Sequence, residues 1–147
     1  MKIDNYNFEA SASLLEFQFF SVGPKGKIKK GILFKPFENN KKVFNIGFGD
    51  VDENGNINDL IATGNQDSEK VLATVVLTIF KFFEKYPDCY VYATGSTHSR
   101  TRLYQMGINK NLKEISQLFD VYGFTNNSWE TFSGLKKYDA FLVRQKK

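Results

Sequence analysis

Apolar residues spaced by four, Val71, Val75, Ile79 and Phe83, set the architecture of this chain. Leu72, Val76 and Phe80 widen the stripe, so the segment predicts a long amphipathic helix with one face committed to a core. Asp67 or Ser68 stands where such a helix is capped, and Pro87 ends it. On both sides the apolar period drops to two. A helix set between strands is a crossover, which makes the strand after it parallel to the strand before it.

Leu15, Phe17 and Phe19 alternate with Glu16 and Gln18, the pattern of a half-buried strand. Gly23-Pro24-Lys25-Gly26 turns the chain into a return strand from Ile28 to Phe34. Val43 to Val51 is a third strand, with Phe44, Ile46 and Phe48 on one face. Gly47 and Gly49 lie on the other, where the backbone is open to close approach. Asp52-Glu53-Asn54-Gly55 leads into a fourth strand, Ile57 to Thr63, completing a four-stranded antiparallel meander. Beyond the long helix, Tyr90 to Thr94 is a fifth strand, parallel to the fourth. Ser96 or Thr97 caps a short helix that Gly107 stops after Met106. Leu112 to Tyr122 is a third helix, and strands near Trp129 to Phe132 and Tyr138 to Arg144 close the fold. The order is ββββαβααββ, an α+β domain with helices packed on a mostly antiparallel sheet.

With 147 residues, 41% of them apolar and 15 of them Phe, the chain has material for one core and is read as a single domain. No apolar run approaches the roughly 20 residues that cross a bilayer. The N-terminal MKIDNYNFEAS carries no apolar signal region, and the lone cysteine, Cys89, fits a reducing compartment. The expectation is a cytoplasmic protein with no membrane partner. Its net charge is +4, and seven lysines fall between residues 25 and 42. Lysine-rich strands track a nucleic-acid backbone or guard a sheet edge against pairing. Under the first reading Lys25, Lys27 and Lys29 are the contacts.

One Cys and one His exclude a zinc site of the usual nitrogen and sulfur kind. Asp50-Val51-Asp52-Glu53-Asn54-Gly55 imitates the start of a calcium loop, but the twelfth position is Ile61 and strands flank it. A hairpin turn is the better account, and no metal is expected. Cys89, at a strand start, reads as a packed residue. His98 is the only imidazole, so any His-dependent acid–base step must use it.

Anion binding has the strongest physical case. Helices begin just after parallel strands at Asn65-Gln66-Asp67-Ser68 and at Gly95-Ser96-Thr97-His98, which puts both N-termini at one edge of the sheet. Free N–H groups and helix dipoles there favour a phosphate or carboxylate. Gly95, Ser96 and Thr97 are small and supply hydroxyls, Ser68 adds another, and Arg100 and Arg102 bring bidentate donors. Tyr104 shares the Arg100 side of the helix. The competing reading is structural: Ser or Thr as a plain cap, and an arginine paired with Asp50, Asp67 or Glu69.

The blocks SVGPKGKIKKGILF, NIGFGD, DSEKVLATV, YATGSTHSRTRLYQMGI and YDAFLVRQ resemble, across nearly the whole chain, a family of small Bacteroidetes-type bacterial proteins with no assigned activity. The resemblance implies a compact intracellular domain and marks Gly95, Ser96, Thr97, Arg100, Thr101, Arg102, Leu103 and Tyr104 as the signature. The topology is also similar to the core of the GCN5-related acetyltransferases. That likeness implies acyl-coenzyme A between splayed strands and Tyr104 as proton donor to the departing thiolate. The phosphate loop of those enzymes, Q/R-x-x-G-x-G/A, is absent here, where ATGNQDSEKVLA offers only Gly64 followed by Asp67 and Glu69.

Three functions are therefore expected in competition. The first is an anion-binding module for a phosphate-bearing ligand, a nucleotide or an RNA backbone, toxin-like in one form and acting with a partner protein. It needs no cofactor. The second is an acyltransferase-like enzyme using coenzyme A, with Tyr104 and His98 as its candidate catalytic groups. The third is a structural interaction protein.

Overall fold

A computed structural model of the chain describes residues 4–58 and 63–147. In chain order the elements are β1 (Glu9–Ala10), β2 (Glu16–Gly23), β3 (Gly26–Phe37), β4 (Asn40–Val51), β5 (Ile57–Asn58), α1 (Ser68–Lys85), β6 (Tyr90–Ala93), α2 (His98–Lys110), α3 (Leu112–Leu118), β7 (Phe119–Thr125), β8 (Ser128–Thr131) and β9 (Ala140–Gln145). The strands make one sheet in the order β1-β2-β3-β4-β6-β9-β7-β8, with β5 paired to the far end of β4. Every pairing is antiparallel except β4 with β6. The α+β class and the expected order hold, with β1 and β7 as additional strands.

The alternation read from the sequence sets the two faces. Phe17 and Phe19 of β2, Ile32 and Phe34 of β3, Phe44, Ile46 and Phe48 of β4, Val91 of β6 and Phe141 of β9 are buried on one face. Helix α1 lays Val71, Val75, Phe82 and Phe83 on that face. Phe82, fully buried, sits 4.6 Å from the Phe34 ring and 5.0 Å from the Phe44 ring. The N-terminal segment straps α1 from outside: the Tyr6 N–H donates to Thr74 Oγ1 (2.9 Å) and the Tyr86 hydroxyl to the Ser13 carbonyl (2.8 Å). No helix among the described residues is long and apolar enough to cross a membrane.

Four expectations need correction. The parallel partner of β6 is β4, which is the expected third strand, and not the expected fourth strand from Ile57 to Thr63; Val43, Phe44 and Asn45 pair with Tyr90, Val91 and Tyr92. Of the expected strand Ile57 to Thr63, only Ile57–Asn58 is a described strand, and residues 59–62 lie outside the described residues. Gly107 does not stop α2, which runs on to Lys110. Its bare backbone instead lets α2 approach α1, since a Cβ there would lie 3.1 Å from that of Leu72. Finally, the third helix ends at Leu118, and Phe119–Thr125 is strand β7. Phe119 and Val121 point inward and alternate with Asp120 and Tyr122, so a period of two wins over the preceding helix formers.

Candidate functional site

The strands β4 and β6 pair over three residues and then part. Beyond Asn45 the β4 edge has no β6 neighbour, and β5 joins only at Asp50 and Val51. Arg100 from α2 reaches into this gap. Its Nη2 donates to the Phe48 carbonyl at 2.6 Å, supplying a hydrogen bond that a neighbouring strand would otherwise make. Nη2 also lies 3.4 Å from the Tyr104 hydroxyl, and Nη1 donates to Ser96 Oγ at 3.2 Å. The guanidinium carbon sits 5.9 Å from the centroid of the Phe48 ring.

A second cation meets the same ring. Lys30, in phase with Ile32 and Phe34, turns into the core face, and its side chain is 3% exposed. Its Nζ donates to Asp50 Oδ1 (2.5 Å) and to the Thr63 carbonyl (2.7 Å), and lies 6.0 Å from the Phe48 centroid. Asp50 also accepts from the Thr63 hydroxyl (2.5 Å) and N–H. Burial pushes the Asp50 carboxyl up, but the hydrogen bonds from Lys30 and Thr63 outweigh it and hold the group below its ordinary range. Here the buried stripe turns polar: Ser21 on β2, Lys30 on β3 and Asp50 on β4.

The polar end of the stripe receives the approach to α1. Asp67 occupies the N-cap position yet makes no side-chain cap; its carboxylate accepts from the Tyr6 hydroxyl (2.6 Å) and the Ser21 hydroxyl (2.5 Å). Buried Asn65 donates to the Gly26 carbonyl (2.9 Å) and accepts from the Lys25 N–H (2.7 Å). Burial, then the bond to Asp67, raises the Tyr6 phenol above its usual value. Between this loop and α2 lies a cleft of 330 Å³ lined by Lys30, Phe48, Thr63, Ser68, Arg100 and Tyr104, among others. A smaller cleft of 160 Å³ runs through the strand gap past Asn45, Gly47, Gly95 and Ser96.

The structure gives the expected site residues around the start of α2 separate tasks. Thr97 Oγ1 caps α2 by accepting the Arg100 N–H (3.2 Å). Gly95 packs on the first turn of α2, where a Cβ would lie 2.4 Å from the Thr101 nitrogen. Its N–H donates to the hydroxyl of buried Thr101 (3.0 Å), which donates onward to the Thr97 carbonyl (3.1 Å). Ser96, Arg100 and Tyr104 face the clefts and exposed Ser68 lies on their rim. His98 and Arg102 are exposed on α2, and Arg102 lies away from the Arg100 side. Lys27 and Lys29 alternate with Lys30 and so occupy the opposite face of the sheet from Arg100. Lys27 Nζ lies 4.8 Å from the exposed Phe20 ring, and Lys25 sits in the hairpin turn. The lysines and Arg100 are thus not brought together. Asp52 closes the expected hairpin turn by accepting the N–H groups of Asn54 and Asn56 (both 2.9 Å). No group of three or more His, Cys, Asp or Glu side chains suited to a metal forms among the described residues.

Sequence reading missed Lys30, Asp50, Thr63 and the Tyr6–Ser21–Asp67 set as parts of one site. A signal existed: Lys30 and Asp50 each continue the inward phase of an apolar stripe. The fold and cleft define a mixed sheet domain with an internal ion pair beside a strand gap. The chain belongs to a family of unknown function, DUF6934, whose model matches residues 2–146. No curated protein and no solved structure matches it.

Proposed function

We propose that this protein is an anion-binding domain whose ligand is a small phosphate-bearing molecule of the nucleotide class, held in the cleft between the Thr63–Ser68 loop and α2. One observation carries the reading: two cations, Lys30 and Arg100, approach the same Phe48 ring at the floor of a cleft opened by strand divergence. The first turn of α1 borders that cleft at Ser68 and lacks a side-chain cap, so its dipole and N–H groups add to the attraction for an anion. Of the nearby acids, Asp50 pairs with Lys30 itself, Asp67 accepts from Tyr6 and Ser21, and Glu69 pairs with Lys110.

Calorimetric titration with inorganic phosphate, a nucleoside triphosphate and coenzyme A tests this. The first two bind, and Arg100→Ala weakens them by roughly 10- to 150-fold, the worth of a charge-assisted hydrogen bond of about 1.5–3 kcal/mol. If Arg100→Ala collapses the melting temperature and leaves binding intact, the arginine only ties α2 to β4.

A second reading, an acyltransferase-like enzyme on a degenerate acetyltransferase scaffold, is favoured by the parallel β4–β6 pair that separates after Asn45 and Tyr92. Tyr104 is then the proton donor at the gap, and His98, exposed on α2, has no evident part. Micromolar binding of acetyl-coenzyme A, with turnover lost in Tyr104→Phe, would put this reading first.

A further inference from the structure

The three helices cover one face of the sheet and, among the described residues, leave the other open apart from Gly31, over which Ile57 and Val51 pack. That open face carries a connected run of aromatic rings. Phe37 lies 5.7 Å from Tyr92, Tyr92 6.2 Å from Trp129, and Trp129 5.1 Å from Phe124, so the rings join β3, β6, β8 and β7. Trp129 is 42% exposed, and Phe20, beneath the Lys27 ammonium, is 46% exposed. Lysines share the face by strand alternation: Lys27, Lys29 and Lys35 all project from it, and all are exposed. Lys35 stands opposite Asn45, which stands opposite Tyr92, so a cation, an amide and a ring lie in one row across three strands. Gly47 in the next row leaves that part of the face flat, for a Cβ there would meet nothing closer than the Leu33 carbonyl at 3.8 Å. Among the described strands the carboxylates on the same face are Glu9, Glu16 and Asp120, and Asp120 is neutralised by Arg144 at 3.2 Å.

We propose that this open face is a binding platform for single-stranded RNA, with bases stacking on Trp129 and its neighbouring rings and the backbone following Lys35, Lys29 and Lys27. Aromatic rings interleaved with lysines on an uncovered sheet suit unpaired bases, whose π-faces stack and whose phosphates need cations. An apolar protein partner would leave the lysines uncompensated. A duplex offers no free base faces. The Asn45 amide and the Tyr92 phenol, interleaved with the rings, match the donor and acceptor character of a 2′-hydroxyl. This surface lies on the opposite side of the sheet from the Lys30–Arg100 cleft and does not depend on it.

Trp129 is the only tryptophan, so its emission reports directly on stacking. Titrating the full chain with a twelve-nucleotide oligouridylate at low salt quenches that emission. Anisotropy with labelled RNA shows Trp129→Ala binding about tenfold or more weakly, as loss of one stacked base requires. Three phosphate contacts give a log–log salt slope near −2, at roughly −0.7 each, and Lys29→Glu with Lys35→Glu flattens it by about 1.4. This pair of surface changes keeps the proposal testable if Trp129→Ala fails to fold. Binding without a change in Trp129 emission overturns the proposal. So does a salt slope unaffected by the two lysine changes, or equal affinity for the deoxy oligomer or a duplex.

Discussion

Asp50→Asn tests whether the buried ion pair organises the site. The substitution keeps the shape of the side chain and removes its charge, which leaves the Lys30 ammonium, 3% exposed, without its counter-ion. Breaking a buried pair in this way costs about 3–5 kcal/mol. The Thr63 carbonyl, 2.7 Å from Nζ, still accepts, so the lower end of about 3 kcal/mol applies. For a chain of this length each kcal/mol shifts the melting temperature by roughly 2–4 °C, giving a fall of roughly 6–12 °C. Calorimetric melts read it. Adding Lys30→Met to Asp50→Asn then restores stability instead of lowering it, because it removes the orphaned charge. The pH dependence has a defined sign. The folded-state value for Asp50 lies below the unfolded one of about 3.9. The stabilisation is therefore complete above the unfolded value and is lost as pH falls through the depressed folded value. Wild type loses this increment on the acid side of about pH 4, and Asp50→Asn has none to lose. An Asp50→Asn variant melting within 2 °C of wild type, or a double variant less stable than the single, would refute the account.

Phe82→Ala removes a fully buried ring that touches Phe34, Phe44, Phe83 and Tyr86, and is expected to cost about 3–5 kcal/mol in denaturant unfolding. Thr101→Val keeps volume but leaves the Gly95 N–H without its acceptor, and is expected to cost about 1–3 kcal/mol and to speed amide exchange at Gly95. An unchanged exchange rate there would mean that Thr101 does not fasten the end of β6 to α2.

The parts of the fold legible in the sequence are those where one period persists. The four-residue spacing of α1 and the alternation of Phe17 with Phe19 and of Phe44 with Phe48 each describe a face that is buried in fact. Legibility failed where neighbouring patterns join without punctuation. Nothing at Leu118 announces that α3 stops, and only the inward phase of Phe119 and Val121 marks β7. Gly107 misled because a glycine that admits a neighbouring helix looks the same in sequence as one that ends its own. The candidate site was half legible. The sequence offered Ser96 or Thr97 as the cap, which is Thr97, and Arg100 as an anion-binding donor, whereas Lys30 was hidden among seven lysines. Its partner in β4 lies 20 residues away, a separation that no local pattern reports.

The insertion of β6 between β4 and β9 has a consequence for how the chain assembles. Strands β2, β3 and β4 follow one another through tight turns and close small loops as they pair. The other side of β4 waits for Tyr90–Tyr92, which arrive only after α1 has been made. Loop-closure entropy makes that pairing the slower event, whatever the order of helix formation. During synthesis the growing meander therefore offers residues 43–45 of β4 as a bare edge until residue 92 has cleared the ribosome. Exposed Lys41 and Lys42 lie at the start of that edge, where charge opposes pairing with a second nascent chain.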